Sequence, residues 1–290
     1  MPPSNAKRFS ILLGAIGITS FASILIKLAD APALVVATYR LVLAMIVLAP
    51  LALAHSRDEF KKLSRRDLGL SLLSGAFLSL HFISWISSLD YTSVASSIVL
   101  FATNPIFVGL GSYLILREQL HPTLIWGIGL AIGGGVLIGY GDFQGGSEEI
   151  HGDLLALGGA VSVAAYVLIG RRVRQKVDLL TYITVVYGMA AVLLLIAALA
   201  THQAFTGYSR ETYLWMVLLA LGPQLLGHTS YNWALQYMAA AVVSVALLGE
   251  PVGSTILAYL ILNEGLTVLK IVGGLLIISG IYLVAGGKQT

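Results

Sequence analysis

Long apolar stretches alternate with short polar connections along the whole chain. Ten stretches stand out, over residues 9–29, 33–54, 68–88, 93–115, 122–140, 152–170, 179–200, 212–235, 239–262 and 267–286. A helix of about 20 residues crosses a hydrocarbon core of roughly 30 Å, so each stretch is long enough to span. Helix is the expected state, because an open strand in lipid leaves backbone N–H and C=O groups unpaired. The first stretch has some features of a signal peptide: Lys7 and Arg8 precede it, and Ala29-Asp30-Ala31 offers small residues at its end. It is long for such a segment and Lys27 interrupts it, so it is read as a span.

Composition agrees with this pattern. The chain is 57% hydrophobic and only 11% charged, against about 25% charged in soluble domains. A soluble globule and a disordered chain are both excluded. There is no cysteine, which removes disulfides, thiolate metal sites and cysteine nucleophiles. The placement of charge says more than the net +3. Arg57, Lys61, Lys62, Arg65 and Arg66 fill the second–third connection; Arg171, Arg172, Arg174 and Lys176 fill the sixth–seventh. Both fall on the side of Lys7, Arg8 and, with ten spans, Lys288. The fifth–sixth connection carries Asp142, Glu148, Glu149 and Asp153 without Lys or Arg. The positive-inside rule then puts both termini in the cytoplasm. These basic clusters are orientation signals, and nucleic acid is not an expected partner.

The chain also repeats itself. Tyr113-Leu114-Ile115-Leu116-Arg117-Glu118-Gln119-Leu120 returns as Tyr259-Leu260-Ile261-Leu262-Asn263-Glu264-Gly265-Leu266, at an offset of 146. The same offset pairs Leu89 with Leu235, Tyr91 with Tyr237, Pro105 with Pro251 and Gly127 with Gly273. Residues 84–141 against 230–287 give 19 identities in 58 positions, where composition alone would give roughly 5–6. Each copy holds five spans, so the second enters the membrane from the opposite side. Inverted repeats of this kind are typical of secondary transporters, which place substrate near the midplane between the copies.

With these residues assembled, the chain resembles the drug/metabolite transporter superfamily, specifically its ten-helix EamA-type members. The matching residues are Thr38-Tyr39-Arg40-Leu41, Leu89-Asp90-Tyr91-Thr92-Ser93, Asn104-Pro105, Gly249-Glu250-Pro251 and Leu262-Asn263-Glu264-Gly265-Leu266. The resemblance implies an all-α integral membrane protein of ten transmembrane helices in two inverted five-helix repeats, over 1–145 and 146–290. It implies a multi-pass inner-membrane efflux carrier around a central cavity, exporting amino acids or similar small amphipathic metabolites. No cofactor, metal or catalytic group is implied. The basic pocket of phosphate-sugar members and the lysine motif of nucleotide-sugar members have no counterpart here.

Several polar residues fall inside predicted spans, where each charge costs about 2.5–3.5 kcal/mol on insertion scales. Arg40 and Glu250 are the two intramembrane charges. Glu250 has two readings: it binds a substrate amine or a proton, or it bonds neighbouring helices and pairs with Arg40. Pro105 and Pro251 sit mid-span at equivalent positions, freeing the carbonyls of Phe101 and Leu247. They are candidate hinges, with a passive kink as the alternative. His81, Ser84, Trp85 and Ser88 share one helix face, as do Gln224, His228, Tyr231 and Asn232. Ser93, Ser96, Ser97, Phe101 and Asn104 recur at near-helical spacing in the fourth span. The candidate substrate-binding set is His81, Trp85, Phe101, Asn104, Tyr166, Gln224, His228, Tyr231, Asn232 and Glu250. Interhelical hydrogen bonding is the alternative for each stripe.

Other classes fit less well. Gly139-Tyr140-Gly141-Asp142 has the GxGD spacing of an intramembrane aspartyl enzyme. Asp142 falls at a span edge, and no second aspartate lies within another span to share a water. A non-transporting scaffold does not explain the paired prolines.

Overall fold

The computed structural model describes residues 3–91, 97, 100–119, 121–140, 147–262 and 265–286. Ser93, Ser96, Asp142, Asn263, Glu264 and Lys288 lie outside the described residues, and the side chains of Glu148 and Glu149 likewise. Every regular element among the described residues is a helix. The order is α1 (Asn5–Thr19), α2 (Phe21–Leu28), α3 (Ala33–His55), α4 (Arg57–Lys62), α5 (Arg65–Tyr91) and α6 (Asn104–Gly111). A π-helical turn over Ser112–Leu116 follows, then α7 (Pro122–Tyr140), α8 (Ser147–Val173), α9 (Leu179–Ala200) and α10 (Arg210–Leu219). A second π-helical segment, Ala220–His228, joins α10 to α11 (Thr229–Ala234). The chain ends with α12 (Ala240–Leu247), α13 (Gly249–Leu262) and α14 (Val268–Gly286).

Polar caps mark where helices leave the apolar layer. Ser4, Asp178 and Ser209 each accept a backbone N–H from the first turn of α1, α9 and α10. Ser64 accepts from the Asp67 N–H at 3.1 Å and donates to its carboxylate at 2.6 Å. Such caps satisfy the orphan donors that open every helix. Between the caps, the outward faces carry large exposed apolar side chains, among them Leu13, Ile46, Leu114, Trp126 and Leu260. Only lipid is a suitable solvent for such a surface.

Among the described residues, seven helices are long and apolar enough to cross a membrane: Asn5–Leu28, Ala33–His55, Arg65–Ser88, Ile150–Val173, Leu179–Ala200, Ala240–Ile261 and Val268–Ala285. Asn104–Leu116 and Pro122–Ile138 are shorter apolar helices. The predicted eighth stretch forms one path from Arg210 to Ala234, with the π-helical segment in its middle around Pro223.

Helix packing is closest where glycines remove side chains. α5 lies against α8, and α7 against α14. On α7 and α14 the contact is backbone to backbone. A Cβ on Gly134 would run into the Gly273 carbonyl, and one on Gly280 would meet the Gly127 carbonyl at 2.6 Å. Gly134 also faces Ile277, Gly280 faces Ala131, Gly127 faces Val284 and Gly273 faces Ile138. The helices therefore cross antiparallel. With an offset of 146, each contact has a mirror: 127 with 280 becomes 273 with 134.

Both predicted interruptions are present. Ahead of Pro105 the Thr103 N–H bonds the Leu100 carbonyl at 3.1 Å, a tight i→i−3 turn. Ahead of Pro251 the Leu248 N–H bonds the Val245 carbonyl at 3.1 Å, and α12 ends there.

Candidate functional site: a cavity between the helices

Residues of α2, α3, α5 and α13 and the last residue of the π-helical segment, His228, enclose a cavity of about 590 Å³. Both intramembrane charges, Arg40 and Glu250, line it. One end is bounded by Lys27, Asp30 and Pro32, all exposed, so the cavity opens between α2 and α3.

Arg40 is 1% exposed. Its Nε donates to the Gln224 Oε1 at 2.8 Å, and its guanidinium lies 4.5 Å from the Phe82 ring centroid. Glu250 lines the same cavity. Among the described residues the ion pairs are Lys61–Asp58, Lys62–Glu59 and Arg171–Glu118. Arg40 and Glu250 thus line one space without a direct ion pair between them.

Aromatic rings also line it. His81 stacks on Trp85 with ring centroids 6.1 Å apart and planes 10° from parallel. Phe101 lies 5.8 Å from His81 and 6.2 Å from Trp85. His228 lies 5.7 Å from Phe82. The His81 Nδ1 is 3.0 Å from the Gly159 carbonyl. A carbonyl only accepts, so Nδ1 carries the proton and Nε2 is the acceptor. Ser254, Thr255 and Ser97 add hydroxyls to the lining, and Asp90 and Lys270 add charge.

Of the candidate set, His81, Trp85, Phe101, His228 and Glu250 reach the cavity, as does Pro251. Five others stand behind the wall. Gln224 holds Arg40. Tyr231 bonds the Thr19 hydroxyl at 2.9 Å. Asn232 donates to the hydroxyls of Tyr166 at 2.5 Å and Tyr187 at 3.2 Å. Asn104 is fully buried, and neither polar atom of its amide has a partner. Pro105, beside it, is buried too. Lys27, Asp30, Asp90 and Lys270 were outside the candidate set. Their signal is an acid or base at a predicted span end, which is shared with ordinary loop residues.

Away from the cavity, arginines tie several helix ends together. Arg171 Nε donates to Glu118 at 2.7 Å, and its Nη1 to the Leu235 carbonyl at 2.9 Å. Arg174 donates to the Asn232 carbonyl at 3.1 Å, the Gln236 side chain at 2.8 Å and the Val177 carbonyl. Arg8 reaches the Tyr237 carbonyl at 3.2 Å. Arg8 of α1, with Arg171 and Arg174 at the end of α8, thus bonds main-chain carbonyls at and just after the end of α11.

A model of the EamA-like transporter family matches residues 8–140 and again 150–286. The chain belongs to the EamA-like transporter family. Among similar curated proteins is an uncharacterized transporter of Clostridium kluyveri, 27% identical over 247 residues, covering 81% of this chain and 78% of that relative. One from Archaeoglobus fulgidus is 26% identical over 271 residues, 91% of each. The uncharacterized transporter YetK of Bacillus subtilis is 26% identical over 259 residues, 86% of this chain and 77% of YetK. A solved structure titled "Crystal structure of protein" superposes with a TM-score of 0.79 at 18% identity, over 97% of this chain and 98% of the other. The fold is shared with it. As an EamA-like protein the chain is a multi-pass membrane protein of a transporter family, with a bilayer and small molecules as its partners.

Proposed function

We propose that this EamA-like protein is an alternating-access carrier for zwitterionic or amine-bearing metabolites, amino acids foremost. The observation that carries the reading is a cavity lined by both Arg40 and Glu250 together with the aromatic rings of Phe82, Trp85 and Phe101. An α-amino acid offers a carboxylate to Arg40, an ammonium to Glu250 and an apolar side chain to Trp85 and Phe101. An ammonium also gains from aromatic faces. Proton coupling through Glu250, which lines the same cavity, is part of the proposal.

The proposed architecture is ten spans in two inverted five-helix repeats, over residues 1–145 and 146–290. The double match of the family model and the mirrored α7–α14 contacts support it. The basic connections support an inner-membrane orientation with both termini cytoplasmic. The cavity mouth at Asp30 then faces outward, and the Arg171–Glu118 end faces the cytoplasm. Export is the proposed direction. Pro105 and Pro251 are the proposed hinges, because paired breaks in corresponding halves mark moving helices in such carriers. On this reading the chain catalyses no covalent step.

The test is thermal unfolding of the purified protein against amino acids, amines and anionic metabolites, alongside Glu250→Gln. A true ligand at 100 times its Kd stabilises the native state by about 2.7 kcal/mol. We expect a shift from amino acids or amines in the native protein and its loss in the variant. A shift from phosphorylated or other anionic solutes alone would reject this cavity chemistry. Counterflow of the stabilising solute in liposomes, measured across pH, tests coupling; wild-type rates for Glu250→Gln at every pH would remove the proton role.

A further inference from the structure

The offset of 146 that aligns the two halves pairs Asn104 with Glu250, each directly before its proline. The two positions are in opposite circumstances. Glu250 lines the cavity. Asn104 is fully buried outside it, with both Oδ1 and Nδ2 unpartnered. A buried amide that makes no hydrogen bond is costly where it stands. Ser97 and Phe101, seven and three residues earlier, do line the cavity. Asn104 thus follows two cavity-lining residues in the chain without itself reaching the cavity.

We propose that Asn104 is the counterpart of Glu250 in the other half of the transport cycle. It is buried and idle while the cavity opens toward Lys27 and Asp30. It meets solute when the opposite end, now closed by Arg171 and Glu118, opens. This proposal rests on the carrier reading above. The geometry behind it is the mirrored contact set of α7 and α14, in which residue i of one half meets j of the other and j meets i. Rocking two such halves past each other exchanges their surroundings. The tight turns before Pro105 and Pro251 give both halves a break at matching places. The exchange is not chemically neutral, because a carboxylate on one side becomes an amide on the other. An ammonium group is held by charge at the Glu250 opening and by a carbonyl dipole alone at the Asn104 opening. The carrier therefore binds an amine more tightly from the mouth side than from the Arg171 side.

The absence of native cysteine makes the test direct. Asn104→Cys and Glu250→Cys are probed separately, in membrane vesicles of both orientations, with a membrane-impermeant methanethiosulfonate. Ser254→Cys, on the same cavity wall, replaces Glu250→Cys if loss of the carboxylate prevents folding. Labelling of the two positions from opposite faces is the expected result. Labelling from the same face overturns the proposal, as does an Asn104→Cys that never reacts while the cavity cysteine does. Labelling requires no solute, so opposite-face reaction without flux would reject the carrier reading and keep the exchange of positions. A second measurement uses Asn104→Asp, which gives both openings a carboxylate. Half-saturation by the amine at the Arg171 face should fall several-fold while the value at the mouth face holds; an equal change at both faces would refute the assignment.

Discussion

Arg40 is buried without a contact ion pair, and Gln224 is what makes that tolerable. The amide oxygen accepts from Nε at 2.8 Å and Phe82 covers the guanidinium face. Removing the oxygen leaves a buried charge one bond short, and bonds to charged groups are worth about 1.5–3 kcal/mol. We expect Gln224→Leu to lower stability by about 2 kcal/mol, read as a drop in Tm, whereas Lys62→Ala should move it little, since the exposed Lys62–Glu59 pair is solvated. The sequence marked Gln224, His228, Tyr231 and Asn232 as one polar stripe, and all four are buried. Periodicity assigned them a common face but not a partner. Three of the four hold other protein groups in place, and His228 alone reaches the cavity. Which polar side chain meets ligand and which meets protein depends on ångström offsets between helices, which a one-dimensional pattern does not carry.

At the scale of elements, the α7–α14 crossing makes the sharpest prediction. A side chain at Gly134 or Gly273 has backbone in its way, which a rotamer change cannot relieve. Gly133, one residue along, has nothing within 4 Å of where its Cβ would be. Overpacking costs about 1–3 kcal/mol, so Gly134→Val should lower Tm and yield while Gly133→Ala leaves both unchanged. The helix breaks were readable from Pro105 and Pro251 because proline has a fixed effect on the i−4 carbonyl. The widened turn over Ala220–His228 was not. Pro223 signals an irregularity but not that the ladder shifts to i→i+5 bonds. The number of spans was read as ten from apolar length; α7 fills the predicted fifth stretch in full, Pro122–Tyr140, while the fourth is broken by the turn before Asn104. Apolar length and helix length part company wherever a turn or π-helical segment interrupts the run.

For the whole molecule, the arginines of the sixth–seventh connection carry more than orientation. Arg171 and Arg174 bond an acid and backbone carbonyls across three connections, and Arg174 is 1% exposed. In the sequence a loop arginine in water looks the same as one closing a helix end. On the proposed reading these bonds hold the far end shut. Arg171→Ala should then raise the labelling rate of Asn104→Cys from that side by about tenfold, the factor that roughly 1.4 kcal/mol sets. An unchanged rate would assign the cluster to folding alone.

The lining of the cavity has an electrical consequence. Among its described lining residues, Lys27, Arg40 and Lys270 stand with Asp30, Asp90 and Glu250. A neutral zwitterion crossing such a space moves no net charge, and the membrane potential does no work on it. A proton carried on Glu250 is different, since one elementary charge gains or loses about 2.3 kcal/mol per 100 mV. Under the proposed coupling, voltage would act on this carrier only through that proton, and an applied potential would change the flux of native protein but not of Glu250→Gln.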